Sequence, residues 1–219
     1  MISEKEYTQF RQNELVLYRF PLQYSLEQFG LKECGTFYDI IAKLGENILE
    51  VGFYSGLSLF FLKHQSPSLK IKGITTSNFL LENAEIRKKY LGINDISFQK
   101  VDSYMLDGYG NKEFDVIFHK NLLINKTSKE IVNLLNNHLT FSKHIAVILT
   151  DPECLFSFEY GKEIPPPIWL SLMEEVLPHF QIMCFKPVQN DIPTNKEIIS
   201  SPYITLRKNI LIILKGKGD

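Results

Sequence analysis

The sequence predicts an α/β fold: a doubly wound, mostly parallel sheet of seven strands, with helices on both faces and an antiparallel hairpin at one edge. Short apolar runs alternate with stretches in which apolar residues recur at helical spacing. A turn containing Gly52 and Gly56 joins the first apolar run to the helix that follows it. The last two apolar runs have no evident crossover helix between them, which indicates antiparallel pairing at a sheet edge.

The segment ahead of the first strand, residues 1–46, is predicted to be helical and irregular. Apolar residues at Phe37, Ile41 and Leu44 recur at helical spacing and predict one buried helix face. The pair Thr36 and Asp39 has the spacing of an N-terminal cap, so we expect this helix to begin near Thr36.

The remaining elements follow in alternation. A helix is predicted over 78–91, and Thr127 to Glu130 is a capping box that opens another. The prolines at 165–167 are expected to start a further helix that ends at Pro178. The strands are predicted at 47–51, 70–76, 96–101, 114–118, 145–149, 180–188 and 209–214.

Composition excludes several classes of function. The 219 residues are 44% hydrophobic and 22% charged, and the formal net charge is −1. We therefore expect neither a nucleic-acid partner nor a membrane. Three scattered cysteines and five histidines lack metal-ligand spacing, so no metal site is expected. No signal peptide or membrane-spanning run is evident, and we expect one domain, 1–219, in the cytoplasm.

The first turn carries a recognisable motif. Its residues resemble the first motif of class I S-adenosylmethionine-dependent methyltransferases, an acid-x-Gly-x-Gly-x-Gly sequence after strand one. Glu50, Gly52 and Gly56 match this motif, and Tyr54 stands at the position of the middle glycine. A dinucleotide fingerprint, Gly-x-Gly-x-x-Gly, fits worse because Tyr54 and Leu57 would occupy its later glycine positions.

The resemblance implies a Rossmann-like methyltransferase fold that binds S-adenosylmethionine and releases S-adenosylhomocysteine. Glu50 and the turn amides would hold the methionine portion. The family usually has a ribose-binding acid after strand two, whereas this chain has hydroxyls, which are also ordinary strand residues. Asp102 would accept from the adenine amino group or be a simple turn residue. The expected cofactor-binding residues are Glu50, Gly52, Phe53, Tyr54, Ser55, Gly56, Thr75, Thr76, Ser77, Asp102, Ser103 and His119.

His119, at the end of strand four, is the candidate catalytic residue. It could act as general base toward an oxygen or nitrogen nucleophile, or it could cap the strand or contact the cofactor through its backbone. In the resembled family, a leading segment such as 1–46 often forms a lid over the cofactor and shapes the substrate site. The candidate substrate residues are Tyr18, Asn121, Asp151, Glu153 and Tyr160.

The predicted function is O- or N-methylation of a small molecule by direct displacement, with a homodimer left open. The alternative is a methyltransferase-like protein that has lost catalysis and serves as a binding or scaffold partner. Three departures from the family's pattern favour this alternative: Tyr54, the missing acid after Thr76, and Leu80. Leu80 stands where a subset related to cyclopropane fatty-acid synthases has glutamine. An NAD-dependent oxidoreductase is disfavoured by the glycine spacing and by the same missing acid.

Overall fold

The computed structural model describes residues 31–53, 56–120, 122–123, 126–150, 175–189 and 208–216. The elements alternate along the chain in the order that the sequence predicts. They are α1 (Leu31–Ala42), β1 (Asn47–Val51), α2 (Leu57–Gln65), β2 (Lys70–Thr75), α3 (Asn78–Leu91), β3 (Ile96–Lys100), β4 (Phe114–Lys120), α4 (Ser128–Phe141), β5 (Ser142–Thr150), a 3₁₀ turn (Leu177–His179), β6 (Gln181–Gln189) and β7 (Lys208–Lys215).

The strands form one seven-stranded sheet in the order β3-β2-β1-β4-β5-β7-β6. The pairs from β3 to β5 are parallel, and β7 pairs antiparallel with both β5 and β6. The predicted sheet, including its antiparallel edge, is confirmed. The strand order reverses between β1 and β4, and ligands of open α/β sheets bind at the carboxyl ends of strands beside such a point.

Each face of the sheet is covered by helices, as predicted. Side chains of successive strand residues point to opposite faces, so Ile48 of β1 packs with α1, α2 and α3, whereas Leu49 lies in a separate cluster with Leu106. On that second face, α4 packs on β5 and β7 through residues such as Leu135. The predicted helix face around Phe37 is buried against the sheet.

Several boundaries differ from the predicted ones. The sequence-based start of α1 is wrong, because Thr36 lies inside a helix that is already formed at Leu31. Strand β4 runs on to Lys120, so His119 is part of the strand and does not follow it. The capping box of α4 is confirmed, with reciprocal hydrogen bonds between Thr127 and Glu130. The helix predicted after Pro165 lies mostly outside the described residues.

Asp115 of β4 joins the start of β1 to the sheet. Its Oδ2 accepts hydrogen bonds from the amides of Glu46 and Asn47 at 2.9 and 3.0 Å, and its Oδ1 pairs with Lys143 at 2.6 Å. A Cβ at Gly45 would lie 2.1 Å from the Asp115 Cβ, so only glycine fits beside it. Among the described residues, no helix is long and apolar enough to cross a membrane.

Candidate functional site

The turn after β1 requires glycine for two separate reasons. Gly52 and Gly56 have φ angles of 74° and 70°, in the left-handed region that side chains disfavour. The amide of Gly52 donates to the carbonyl of Ile74 at 2.9 Å, which holds the turn against β2. A Cβ at Gly52 would lie 2.5 Å from Cδ1 of Leu122. The chain therefore bends sharply at the carboxyl end of β1, directly beneath the segment that follows β4.

Glu50 is a buried carboxyl at this bend. It pairs with Gly73 of β2 and Phe118 of β4 in the sheet, and only 2% of its surface is exposed. Ser58 Oγ donates to Glu50 Oε2 at 2.6 Å. Burial raises the pKa of Glu50 to about 7, although the hydrogen bond from Ser58 and the charge of Lys120 both act to lower it. The site thus holds an acid that titrates near neutral pH.

Ser58 was not among the predicted site residues. It lies in the first turn of α2 and points back at the acid eight residues earlier. The cap of α2 is Gly56, which has no side chain to bond the first amides of the helix, and the amides of Leu59 and Phe60 donate to its carbonyl. The remaining amides of the first turn carry the positive end of the helix dipole and can donate to an anionic group. An acceptor and a set of donors therefore lie together at the end of β1.

The hydroxyls at the carboxyl end of β2 are largely engaged in local hydrogen bonds. Thr75 is buried, and its Oγ1 accepts from the amide of Ser77 at 3.3 Å. Ser77 caps α3 by accepting from the amide of Leu80, also at 3.3 Å. Thr76 is exposed and donates to the phenol oxygen of Tyr104 at 3.3 Å. Of these three predicted residues, Thr76 is therefore the one with an exposed hydroxyl to offer a ligand.

Phe53 belongs to the hydrophobic core. It is fully buried, and its ring centroid lies 5.1 Å from that of Phe98, which also contacts Phe60. Gly73 makes room for this cluster, since a Cβ there would lie 2.8 Å from the Phe53 ring. Phe53 can therefore contact a ligand only through its backbone.

Asp102 and Ser103 lie exposed in the connection that leaves β3. The Ser103 hydroxyl accepts a hydrogen bond from the amide of Met105 at 3.1 Å, which shapes this turn. Because β3 is parallel to β2 and β1, this turn lies at the same edge of the sheet as Glu50. The structure thus brings the predicted residues that follow three strands to one end of the sheet, the carboxyl end of its parallel strands.

His119 is fully buried and contacts a second buried histidine. Its Nε2 lies 3.0 Å from Nδ1 of His138, on α4, and His138 Nε2 lies 2.7 Å from the backbone oxygen of Tyr104. Burial is the main cause that lowers the pKa of both, well below the ordinary value for His119 and to about 4 for His138. Local spacing gave no signal for His138, because 19 residues separate the pair.

Seven predicted site residues lie outside the described part of the chain, so their positions remain predictions: Tyr18, Tyr54, Ser55, Asn121, Asp151, Glu153 and Tyr160. Among the residues that are described, no group of three or more histidine, cysteine, aspartate or glutamate side chains could hold a metal ion.

A cavity of about 680 Å³ lies at the opposite end of the sheet, lined by the amino ends of β1 to β4. The Lys63 ammonium on its wall donates to the backbone oxygens of Pro67 and Leu69 and pairs with Asp95 at 2.6 Å. This arrangement closes the α2–β2 connection, which is a structural role. The cavity is far from the residues that the sequence indicates, and we place the candidate site at the Glu50 end.

Comparison with known proteins supports the fold assignment. No protein-family model and no characterised protein sequence matches this chain. Among solved structures, it is similar to geranyl diphosphate C-methyltransferase from Streptomyces coelicolor, crystallised with Mg²⁺, geranyl diphosphate and S-adenosyl-L-homocysteine (TM-score 0.59, 13% identity, 90% of this chain and 82% of that one). It is also similar to the [4+2]-cyclase SpnF (TM-score 0.58, 14% identity, 83% and 81%) and to the MccD protein (TM-score 0.60, 11% identity, 82% and 96%).

At such identities the likeness establishes the fold. The chain has the Rossmann-like methyltransferase fold that its first motif led us to expect. Because one of these neighbours is named as a cyclase, the fold by itself does not define the reaction.

Proposed function

We propose that this chain binds S-adenosylmethionine and catalyses methyl transfer to a small molecule. The observation that carries the proposal is the buried Glu50 beside the glycine turn and the uncapped start of α2, at the strand ends where this fold binds ligands. S-adenosylmethionine supplies a methyl group on a sulfonium, which a nucleophile attacks in line. The chain's neighbours in fold include a methyltransferase crystallised with the small molecule geranyl diphosphate.

The residues present fit the cofactor. Its amino group needs an acceptor and its carboxylate needs donors, and Glu50 and the first amides of α2 have these properties. The left-handed glycines bend the backbone at the carboxyl end of β1, and Leu122 packs over Gly52 on the side where a Cβ would stand. Thr76 and Asp102 are the exposed polar groups for the ribose and the adenine. The ribose contact is a hydroxyl here, which binds more weakly than a carboxylate.

The chain's own part in the reaction is to position the substrate and exclude water. For a hydroxyl or amine substrate, the buried His119 would act as general base and take up the proton that the nucleophile loses, while the cofactor, when bound, would supply the methyl group and leave as the thioether S-adenosylhomocysteine. Tyr18, Asn121, Asp151, Glu153 and Tyr160 are proposed to line the substrate pocket. Oxygen or nitrogen as the methylated atom is part of the proposal.

We also propose that residues 1–219 act as one domain in the cytoplasm, with 1–46 as a segment over the site. Its described part supports the single domain, since Phe37, Tyr38 and Ile41 of α1 are buried in the main core. The proposed partner is a small-molecule substrate, and we propose neither a nucleic acid nor a membrane as a partner.

Calorimetric titration with S-adenosylmethionine, S-adenosylhomocysteine and NAD tests the proposal. We expect the first two to bind and NAD not to bind. Glu50→Gln keeps the side-chain volume and removes the charge, so it should lose most of the affinity while the fold is retained. Glu82→Gln, on the exposed side of α3, is the matched control and should bind as the wild type does.

Absence of any heat with both nucleosides, from a chain whose circular dichroism shows it folded, would overturn the proposal. The scaffold alternative would then be favoured, because Leu122 packs over Gly52 and no acid follows β2.

A further inference from the structure

The two buried histidines and the backbone oxygen of Tyr104 form a chain of contacts at hydrogen-bond distance, and the two rings are inclined by 25° with their centroids 4.8 Å apart. A backbone carbonyl can only accept, so the 2.7 Å contact with the Tyr104 oxygen requires the proton of His138 on Nε2. Burial lowers the pKa of both histidines, so each carries one ring proton at neutral pH. Nδ1 of a neutral His138 is then an acceptor, and the 3.0 Å contact requires His119 to donate from Nε2.

The remaining ring nitrogen of His119, Nδ1, is consequently an unprotonated acceptor. It is buried, and no group in the described part of the chain donates to it. His119 follows Phe118, the residue that pairs with Glu50 across β1 and β4, so His119 lies at the same carboxyl end of the strands as Glu50 while its side chain points to the opposite face, toward α4. A buried polar atom without a partner calls for an explanation, such as a bound water, an ion or a catalytic role.

We propose that His138, held by the Tyr104 carbonyl, is a positioning residue that fixes His119 as the Nε2–H tautomer and so presents His119 Nδ1 to a hydroxyl or N–H group of the bound substrate. The inference rests on the proposed function and narrows it to substrates that carry such a donor. It also links the two halves of the site, because the Tyr104 phenol receives the hydrogen bond from Thr76.

The tautomer is tested directly by long-range ¹H–¹⁵N correlation spectra of the histidine rings in the labelled full chain. We expect His119 to show a protonated Nε2 and a free Nδ1 in the wild type. His138→Phe removes the acceptor and should shift His119 to a mixture of tautomers. His138→Asn places an amide oxygen near the former Nδ1 and should restore the wild-type pattern. His64→Asn, exposed on α2, is the control and should leave His119 unchanged.

The acceptor role is tested on the protein already bound to S-adenosylhomocysteine. This complex is titrated with a panel of small phenols, alcohols and primary amines. We expect at least one compound to move the His119 Nδ1 resonance in the wild type and in His138→Asn, and to do so more weakly in His138→Phe. A protonated Nδ1 in the wild type, or a His138→Phe spectrum identical to it, would overturn the tautomer assignment. A panel that moves nothing would overturn the substrate contact.

These outcomes are separable from the proposed function. The tautomer spectra need no bound nucleoside, so they stand even if S-adenosylhomocysteine fails to bind. Conversely, nucleoside binding without the expected tautomer would retain the proposed function and remove the role of His138.

Discussion

The buried Glu50 should make the stability of the free protein depend on pH near neutrality. Its pKa is raised on folding from 4.5 to about 7, so the folded chain binds this proton more tightly than the unfolded chain does. The resulting stability is fully present below pH 4.5 and is lost as pH rises through 7. A pKa change of this size corresponds to about 3 kcal/mol in the free energy of unfolding.

Urea denaturation at intervals from pH 5 to pH 8.5 measures this contribution. We expect the wild type to lose on the order of 3 kcal/mol relative to Glu50→Gln across this range. The comparison between variants is needed because His119 and His138 have lowered pKa values, so their contribution to stability has the opposite pH dependence. That contribution is present above pH 6.5 and is lost as pH falls. Glu82→Gln should keep the wild-type slope. Parallel slopes for the wild type and Glu50→Gln would refute the argument.

The remaining predictions concern the ligand, the turn and two anchors of the fold. If Glu50 accepts from the cofactor's ammonium, affinity for S-adenosylhomocysteine should fall by about tenfold per pH unit below 7, with proton release seen by calorimetry in two buffers. Gly52→Ala should abolish cofactor binding and lower the free energy of unfolding by more than the roughly 1–2 kcal/mol that a left-handed backbone costs alanine. Gly92→Ala is the control, because its added Cβ meets nothing within 4 Å. Equal losses of stability in the two variants would contradict the clash with Leu122. Asp115→Ala should cost about 1–3 kcal/mol in urea denaturation because two amides lose their acceptor; an unchanged midpoint would argue against this anchor. Thr127→Ala should cost about 1 kcal/mol through loss of the cap of α4, and a cost near zero would show the box is dispensable.

The order and type of the elements could be predicted from sequence because their signals are local. The capping box at Thr127, the glycine that ends α3 at Gly92 and the apolar runs of the strands each depend on neighbouring residues. The same locality explains the error at Thr36, since the spacing of a cap recurs by chance inside a helix and says nothing about the turns before it.

The site divides in the same way. The glycines are predictable because the bend of the backbone requires residues that tolerate a positive φ angle, and Glu50 because it stands at the acid position of the motif that the turn resembles. That Ser58 bonds Glu50, and that Phe53 points into the core, follows from how α2 packs on the sheet.

The sequence alone therefore determined the alternation of strands and helices, the glycine turn and the acid before it. Only the tertiary structure decided that His119 meets His138 of α4 and that His138 meets the Tyr104 carbonyl. The physical reason is that periodicity and capping are properties of consecutive residues. A hydrogen bond between distant residues depends instead on how whole elements pack, which no short stretch of sequence encodes.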